Sequence, residues 1–363
     1  MRSGCQLGLG FSACVLLVCA GTLRCGGKSV FEADAGVSDS GADGATGDAG
    51  TDAGTDAGAD AGSDGGAGGT GDASSDAGLD AGSADAGDGG VLDTCEPNQT
   101  PILFLHGNGE SASVWSQAAT DGGPSVLDSL RSAGWNECSL HPITWLTPAQ
   151  QAAPQSNVHT AALADQVFAE LDSLRRRTNS LKVNIVAHSM GVTVALHALE
   201  ATGRSLDVGT FIGIAGGLRG LQSCLAVGYA NALYQTCWAQ SALDSNTFGF
   251  YPSLNPRMEG SGFRTYAAKF QTIDFATISA GAHDEILCPG CDSALFASAS
   301  NVRAQLDVGA GTPTVVSTTS GLDDSTGTGH FRARRDSGPL LVKLLTTTCT
   351  GNDCCTGTGV HCN

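Results

Sequence analysis

Apolar positions between residues 100 and 346 alternate between unbroken runs and spaced stripes, and between residues 33 and 92 they all but vanish. Pro101-Ile-Leu-Phe-Leu105 is a run without alternation, the pattern of a strand covered on both faces. Leu181–Ala187, Val208–Ala215, Phe275–Ala280 and Pro313–Thr318 also read as strands. Between them lie helical stripes. Pro124, then Val126, Leu127 and Leu130, then Gly134 supply a start, an apolar face and a stop. Asn157 is placed to cap a longer helix. Its stripe of Val158, Leu163, Val167, Phe168, Leu171 and Leu174 ends in Arg175–Arg177, where cations oppose the helix dipole favourably. Met190–Ala201 and Pro339–Thr346 complete the helices. Strands alternating with helices predict an α/β fold, a mostly parallel sheet with helices on both faces.

The stretch poor in large apolar residues divides the chain. Residues 33–92 are almost wholly Asp, Ala, Gly, Ser and Thr, with repeats such as Thr51-Asp-Ala-Gly-Thr-Asp-Ala-Gly58. Too little apolar area is available there to offset the entropy of ordering, so residues 26–93 are expected to be a disordered, self-repelling spacer. Calcium binding by the Asp repeats would need a glycine register and apolar anchors that are missing. Ahead of the spacer, Arg2 and the apolar run Leu7–Leu23 have the form of an export signal over residues 1–25, too short to span a bilayer comfortably. An extracellular or cell-surface location follows as an expectation. Cys25 opens Cys-Gly-Gly as a lipidated cysteine would, but Arg24 stands where a lipoprotein signal takes a small residue, so a lipid anchor and free secretion both remain open. The catalytic domain is expected over residues 94–348, with a Cys-rich tail at 349–363.

Charge follows the same division. The +3 of residues 1–30 and the −15 of residues 31–93 leave −6 for the rest of the −18 total, an ordinary surface. The longest basic cluster is Arg175–Arg177, which excludes a nucleic-acid footprint. No later run is apolar enough for a transmembrane helix, and a monomer is expected. Ten of the 14 cysteines lie beyond residue 25, an even number that in an exported chain points to disulfides rather than metal, including at Cys288-Pro-Gly-Cys291. Local spacing favours Cys224 with Cys237, Cys288 with Cys291, and two bridges within Cys349–Cys362.

The chemistry is concentrated at strand ends. Val183-Asn-Ile-Val-Ala-His-Ser189-Met-Gly-Val192 puts a serine between a strand and a helix with small residues two before and two after, the nucleophile-elbow pattern. Ala187 stands where glycine is commoner. Taken alone, Ser189 could be a plain helix cap. However, His106-Gly-Asn-Gly109 ends an earlier strand where such hydrolases supply half of an oxyanion hole. The Asn108 N–H and the Met190 N–H are the candidate donors. In this arrangement the nucleophile is followed by the acid and then the base. Beyond the helix that Ser189 opens, the histidines are His283, His330 and His361; His361 lies among cysteines and His283 abuts the acid position. His330, in Gly327-Thr-Gly-His-Phe331, is therefore the candidate base. Asp284, just after the strand Phe275–Ala280, is the candidate acid, with Asp323 and Asp324 as alternatives and Asp274 at the wrong end of the strand. His106 and His188 are read as structural.

With these motifs in view, His106–Glu110, Ala187–Val192 and above all Ile214-Ala-Gly-Gly-Leu-Arg-Gly-Leu-Gln-Ser-Cys224 with Tyr229-Ala-Asn-Ala232 resemble the lipase-like extracellular depolymerases of native, amorphous polyhydroxyalkanoate, relatives of the class 2 lipases. The resemblance spans roughly residues 99–348 and implies an α/β-hydrolase that cleaves carboxylic esters. The Asp-rich spacer and Cys-rich tail are not part of that pattern. Between about 216 and 270 the chain carries all four of its tyrosines, Tyr229, Tyr234, Tyr251 and Tyr266, with Trp238, Phe248, Phe250 and Phe263. An aromatic cap that meets an insoluble ester or polyester is the functional reading and a satellite core the plain one. No cofactor is required. An acylglycerol lipase or short-chain carboxylesterase is the nearest alternative, and an inactive surface-tethered binding protein the distant one.

Overall fold

The computed structural model describes residues 95–218, 221, 263–287, 294–318 and 321–363. By internal contacts the chain divides into Met1–Gly82 and Ser83–Asn363, and every described residue belongs to the second unit. The expected signal and spacer therefore lie outside the described residues. So do Tyr229, Tyr234, Trp238, Phe248, Phe250 and Tyr251 of the expected cap, and the cysteines at 224, 237, 288 and 291.

Six strands, β1 (Ile102–Leu105), β2 (Leu140–Ile143), β3 (Val183–His188), β4 (Val208–Ile214), β5 (Asp274–Ser279) and β6 (Val302–Asp307), form one sheet in the order β2-β1-β3-β4-β5-β6. Every neighbouring pair is parallel. Successive side chains on a strand face opposite ways, and the continuous apolar runs use both faces. Leu103, Leu105, Ile185, Ala187, Phe211 and Phe275 pack on one side with helices α3 (Ala161–Thr178) and α4 (Met190–Thr202). Ile102, Phe104, Val186, Ile212, Ile214 and Ile278 pack on the other. There they meet α1 (Val126–Ser132) and the last helix, Gly338–Thr346. With a serine on the turn from β3 to α4, this is the α/β-hydrolase fold, as the sequence predicts.

Two strands escape the sequence reading for a common reason. β2 reads Leu-His-Pro-Ile and β6 alternates Val-Arg-Ala-Gln-Leu-Asp, and both are sheet edges, where proline is tolerated and, in β6, one face stays polar. The predicted strand at Pro313–Thr318 also differs. Residues Val315–Thr318 (β7) pair antiparallel with Gly321–Asp324 (β8) in a separate hairpin rather than joining the main sheet. Its β-branched residues are largely exposed.

The start of α3 is likewise corrected. Thr160 is the N-cap, its hydroxyl accepting from the Leu163 N–H, and Asn179 ends the helix at φ 48°. Asn157 is buried in the preceding turn, where its amide donates to Asn108 Oδ1 at 2.6 Å and Gln150 O at 3.0 Å. That turn follows a one-turn helix, α2 (Pro148–Ala152), closed by a Thr147–Gln150 capping box. At the other end of the expected insertion, Tyr266 packs against Phe263 and Phe270 with ring centroids 5.1 and 5.6 Å apart. All three are buried in the main core, around the short helix α5 (Tyr266–Lys269), so here the plain reading of the aromatics holds.

Cystines pin both ends of the domain. The two expected tail bridges are Cys349–Cys354 and Cys355–Cys362, and the tail ends with the Asn363 N–H on Asp307 O. Cys95–Cys138, a pair not predicted, closes a 43-residue separation. By chain entropy such a loop stabilises by about 4 kcal/mol. Among the described residues no helix is long and apolar enough to cross a membrane.

Candidate active site

β1, β3 and β5 run parallel, so their C-terminal ends lie along one edge of the sheet, and Ser189 follows β3 at that edge. β3 ends at His188, α4 begins at Met190, and Ser189 between them sits at φ 53°, ψ −124°. A non-glycine residue there is strained, and the strain is held by the Ser189 N–H on Ile214 O of β4 at 2.9 Å. The tight turn also explains its small neighbours. A Cβ on Gly191 would lie 2.5 Å from His106 O and 2.9 Å from Leu105 O, whereas Ala187 fits beside Leu105 and Gly213 in the sheet register. Ser189 makes no capping bond with its hydroxyl, so the plain helix-cap reading fails.

The turn after β1 runs directly against this serine. A Cβ on Gly107 would come within 3.0 Å of Ser189 Cβ, 2.7 Å of Glu110 Oε2 and 2.9 Å of His188 Nδ1. The Gly107 N–H donates to Glu110 Oε2 at 2.8 Å. Asn108 fixes the next step of the turn through its side chain, donating to Pro154 O at 2.8 Å and accepting from Asn157. The Met190 N–H lies in the first turn of α4, directly after the serine, where no intrahelical carbonyl is in reach. Replacing Gly107 by alanine should therefore displace the turn. We expect a loss of about 1–3 kcal/mol in thermal or denaturant unfolding, the usual range for overpacking, together with a large fall in turnover.

Asp284 and His330 come together across 46 residues. β5 is followed by a single turn, Gly281–His283, and then by Asp284, whose Oδ1 accepts from the N–H groups of Ile286 and Leu287 at 3.1 and 2.8 Å. His330 Nδ1 lies 3.0 Å from Asp284 Oδ2 and 3.1 Å from Oδ1, with both residues buried. Burial disfavours the imidazolium, but the charge and hydrogen bond of Asp284 outweigh it and raise the His330 pKa. Asp323 instead pairs with Arg335, and Asp324 bonds the backbone around His330. Asp274 opens β5 and pairs with Arg303 at 2.5 Å, at the far end of the strand. Of the other histidines considered, His361 is exposed in the tail and His283 occupies the turn before Asp284.

His106 and His188 are structural in form. The His106 ring stacks on Trp145 with centroids 5.2 Å apart and accepts from the Trp145 N–H at 3.3 Å. His188 precedes the serine and packs against His330. Its Nδ1 is 3.1 Å from Glu110 Oε2, its Nε2 is 3.2 Å from His330 O, and the two rings are 4.9 Å apart. Burial pushes the His188 pKa down to about 4 against the pull of Glu110, so its ring is neutral at neutral pH. Burial alone would raise the Glu110 pKa, but Arg334 and His188 together hold it well below the ordinary carboxylate range. The fully buried Arg334, 3.5 Å from Glu110 Oε1, also donates to Val114 O at 2.7 Å. Sequence reasoning did not single out Glu110, Arg334 or Glu285.

Residues 99–259 match the family model of class 2 lipases. A search of curated protein sequences finds no match. Among solved structures, a Bacillus licheniformis lipase, BlEst2, in its propeptide form is 17% identical, with 70% of this chain and 52% of that chain covered and a TM-score of 0.43. Aspergillus fumigatus lipase B is 15% identical over 58% of this chain and 44% of its own, with a TM-score of 0.38. The Bacillus subtilis carboxylesterase CesB is 13% identical over 70% of this chain and 85% of its own, with a TM-score of 0.35. This chain thus spans about half the length of the first two.

Proposed function

We propose that this protein is an exported serine hydrolase of carboxylic esters. The observation that carries the reading is the strained Ser189 on a strand-to-helix turn, with a glycine turn packed against it and the buried His330–Asp284 pair beside its neighbour His188. In this reading Ser189 Oγ attacks the ester carbonyl carbon while His330 accepts its proton. Asp284 holds the imidazole tautomer and stabilises the imidazolium. The carbonyl oxygen becomes an oxyanion that takes hydrogen bonds from the Asn108 and Met190 N–H groups. Collapse expels the alcohol, protonated by His330, and leaves an acyl group on Ser189. Water, deprotonated by His330, then releases the acid. The class 2 lipase match over residues 99–259 supports an ester as substrate.

A polyhydroxyalkanoate or another insoluble polyester is the substrate we favour, on the residues at 214–232 and the density of aromatics that follows them. The family match favours an acylglycerol as the second reading. Comparing turnover of a dissolved butyrate ester, an emulsified triglyceride and an amorphous polyester suspension separates the two. Broad aromatic faces adsorb to an apolar phase at little entropic cost. Alanine at Tyr234, Trp238 and Phe250 together should then cut hydrolysis of the suspended phase on the order of tenfold and leave the dissolved ester nearly untouched. Equal loss on both, with a lower melting temperature, would make those side chains core.

A further inference from the structure

The base at position 330 begins a helix of only six residues, α6 (His330–Arg335), whose N-cap is Gly329 and so offers no side chain to the first N–H groups. Two distant carboxyls do this instead. Asp324 Oδ2 accepts from the Gly329 N–H at 2.9 Å and the Arg332 N–H at 3.0 Å, and Glu285 Oε2 accepts from the His330 N–H at 3.2 Å. Glu285 reaches the segment so closely that a Cβ on Gly329 would fall 2.2 Å from Oε2. Each carboxyl then has one oxygen left, Glu285 Oε1 and Asp324 Oδ1. Both are buried, and neither receives an N–H or a hydroxyl donor. The two carboxyls converge on successive N–H groups of one short segment, close enough for each to act on the charge of the other. Two carboxylates brought to one segment with their outer oxygens shielded from water cannot both be ionised at low cost, and one proton between them would satisfy both leftover oxygens.

We propose that Glu285 and Asp324 share a single proton and act as a positioning pair that clamps the backbone of residues 329–332 and so aims His330 at Ser189. The inference rests on the reading of His330 as the base. The proton belongs mainly to Glu285, whose pKa is pushed up to about 8 by burial and then by the neighbouring Asp324 carboxyl. The charged groups around the pair fit one negative charge. Asp284 is next in sequence and paired with His330, Arg332 Nε donates to Asp324 O at 2.9 Å, Arg334 faces Asp324 while paired with Glu110, and Asp323 is taken by Arg335. Above pH 8 the second charge appears, the two carboxylates repel, and the clamp on His330 loosens.

The folded state holds this proton from the ordinary glutamate range up to about 8, where an unfolded chain has lost it. Glu285 therefore lowers stability progressively as pH rises through that window. Glu285→Gln keeps an acceptor for the His330 N–H and supplies a permanent donor to Asp324. Its kcat at pH 7 should stay within about threefold of wild type, and its alkaline loss of kcat should move up by at least one pH unit. Its melting temperature should exceed that of wild type at pH 9 and not at pH 5. Glu285→Ala should lower kcat about tenfold or more at every pH, with KM little changed.

Infrared difference spectra of the inactive Ser189→Ala protein read the pair without turnover. A neutral carboxyl C=O band should be present at pH 7, titrate near pH 8, disappear on adding Glu285→Gln and persist on adding Asp284→Asn. Absence of that band, or an alkaline limb that Glu285→Gln leaves in place, overturns the shared proton. Absence of ester turnover in the wild type with the band intact would overturn the positioning role and the proposed function while leaving the pair standing.

Discussion

Alanine at Ser189 should lower ester turnover by roughly 10⁶, the scale on which loss of a triad serine acts when the remaining groups have no nucleophile to activate. The fold should not notice. The Ser189 hydroxyl caps nothing, and the turn is held by backbone: its own N–H on Ile214 O, and Val192 N–H on Ser189 O at 3.1 Å. A melting temperature within about one degree of wild type is therefore expected alongside the lost activity. A fluorophosphonate probe should label wild type at this serine alone and leave Ser189→Ala unlabelled, because phosphonylation needs the same activated oxygen and the same oxyanion donors. Labelling that survives the substitution, or residual turnover within tenfold of wild type, would move the nucleophile elsewhere. Loss of both activity and stability would instead show that the serine supports the turn.

The parts of this molecule that could be read from its residues are those where one physical constraint leaves a local mark. β1, β3, β4 and β5 lie inside the sheet and are covered twice, so their sequences carry apolar residues at successive positions on both faces. β2 and β6 are sheet edges, and a proline or an alternating arginine looks like a loop. Ser189 and His330 stand out as candidates for a different reason. The elbow needs small residues at fixed offsets, and chain order then leaves few histidines to choose from. Asp284 followed from its place one turn beyond β5.

Glu110, Arg334 and Glu285 left no comparable mark. A lone carboxylate or guanidinium in a polar stretch reads as a solvated surface residue, which such residues mostly are. Their burial is created by contacts across 217 residues or more in the case of Arg334, and by the meeting of the β5 turn with the hairpin β7–β8 in the case of Glu285. Glycine is the one local hint. Gly107 and Gly329 are the residues against which those carboxyls press, and a side chain at either would collide with a carboxyl oxygen. The Cys95–Cys138 bridge was hidden in the same way, since an even count of cysteines says nothing about partners.

Asparagine at Asp284 should reduce kcat on the order of 10⁴, close to the effect of the same change in other serine triads, where the amide holds the wrong histidine tautomer. Here the structure adds a test of cause. The His330 imidazolium is disfavoured by burial and restored chiefly by Asp284, so its pKa stands above the ordinary histidine value. A base must be neutral to accept a proton, and wild-type kcat/KM should therefore fall as the pH drops through a value above 6.5. Removing the Asp284 charge leaves burial as the dominant influence, and the acid limb of whatever activity survives should move to lower pH. A merely destabilised protein would lose amplitude without that movement. Asp323→Asn should do neither, because Asp323 engages Arg335 and not the imidazole. Asp324→Asn should weaken the hold on the backbone at 329–332, lowering kcat by a factor nearer ten and leaving the acid limb in place, since Asp324 touches the main chain of the base and not its ring. A dead Asp324→Asn with an active Asp284→Asn would reverse the assignment of the acid, and the 3.0 Å contact between Asp284 and His330 would then be a structural bond.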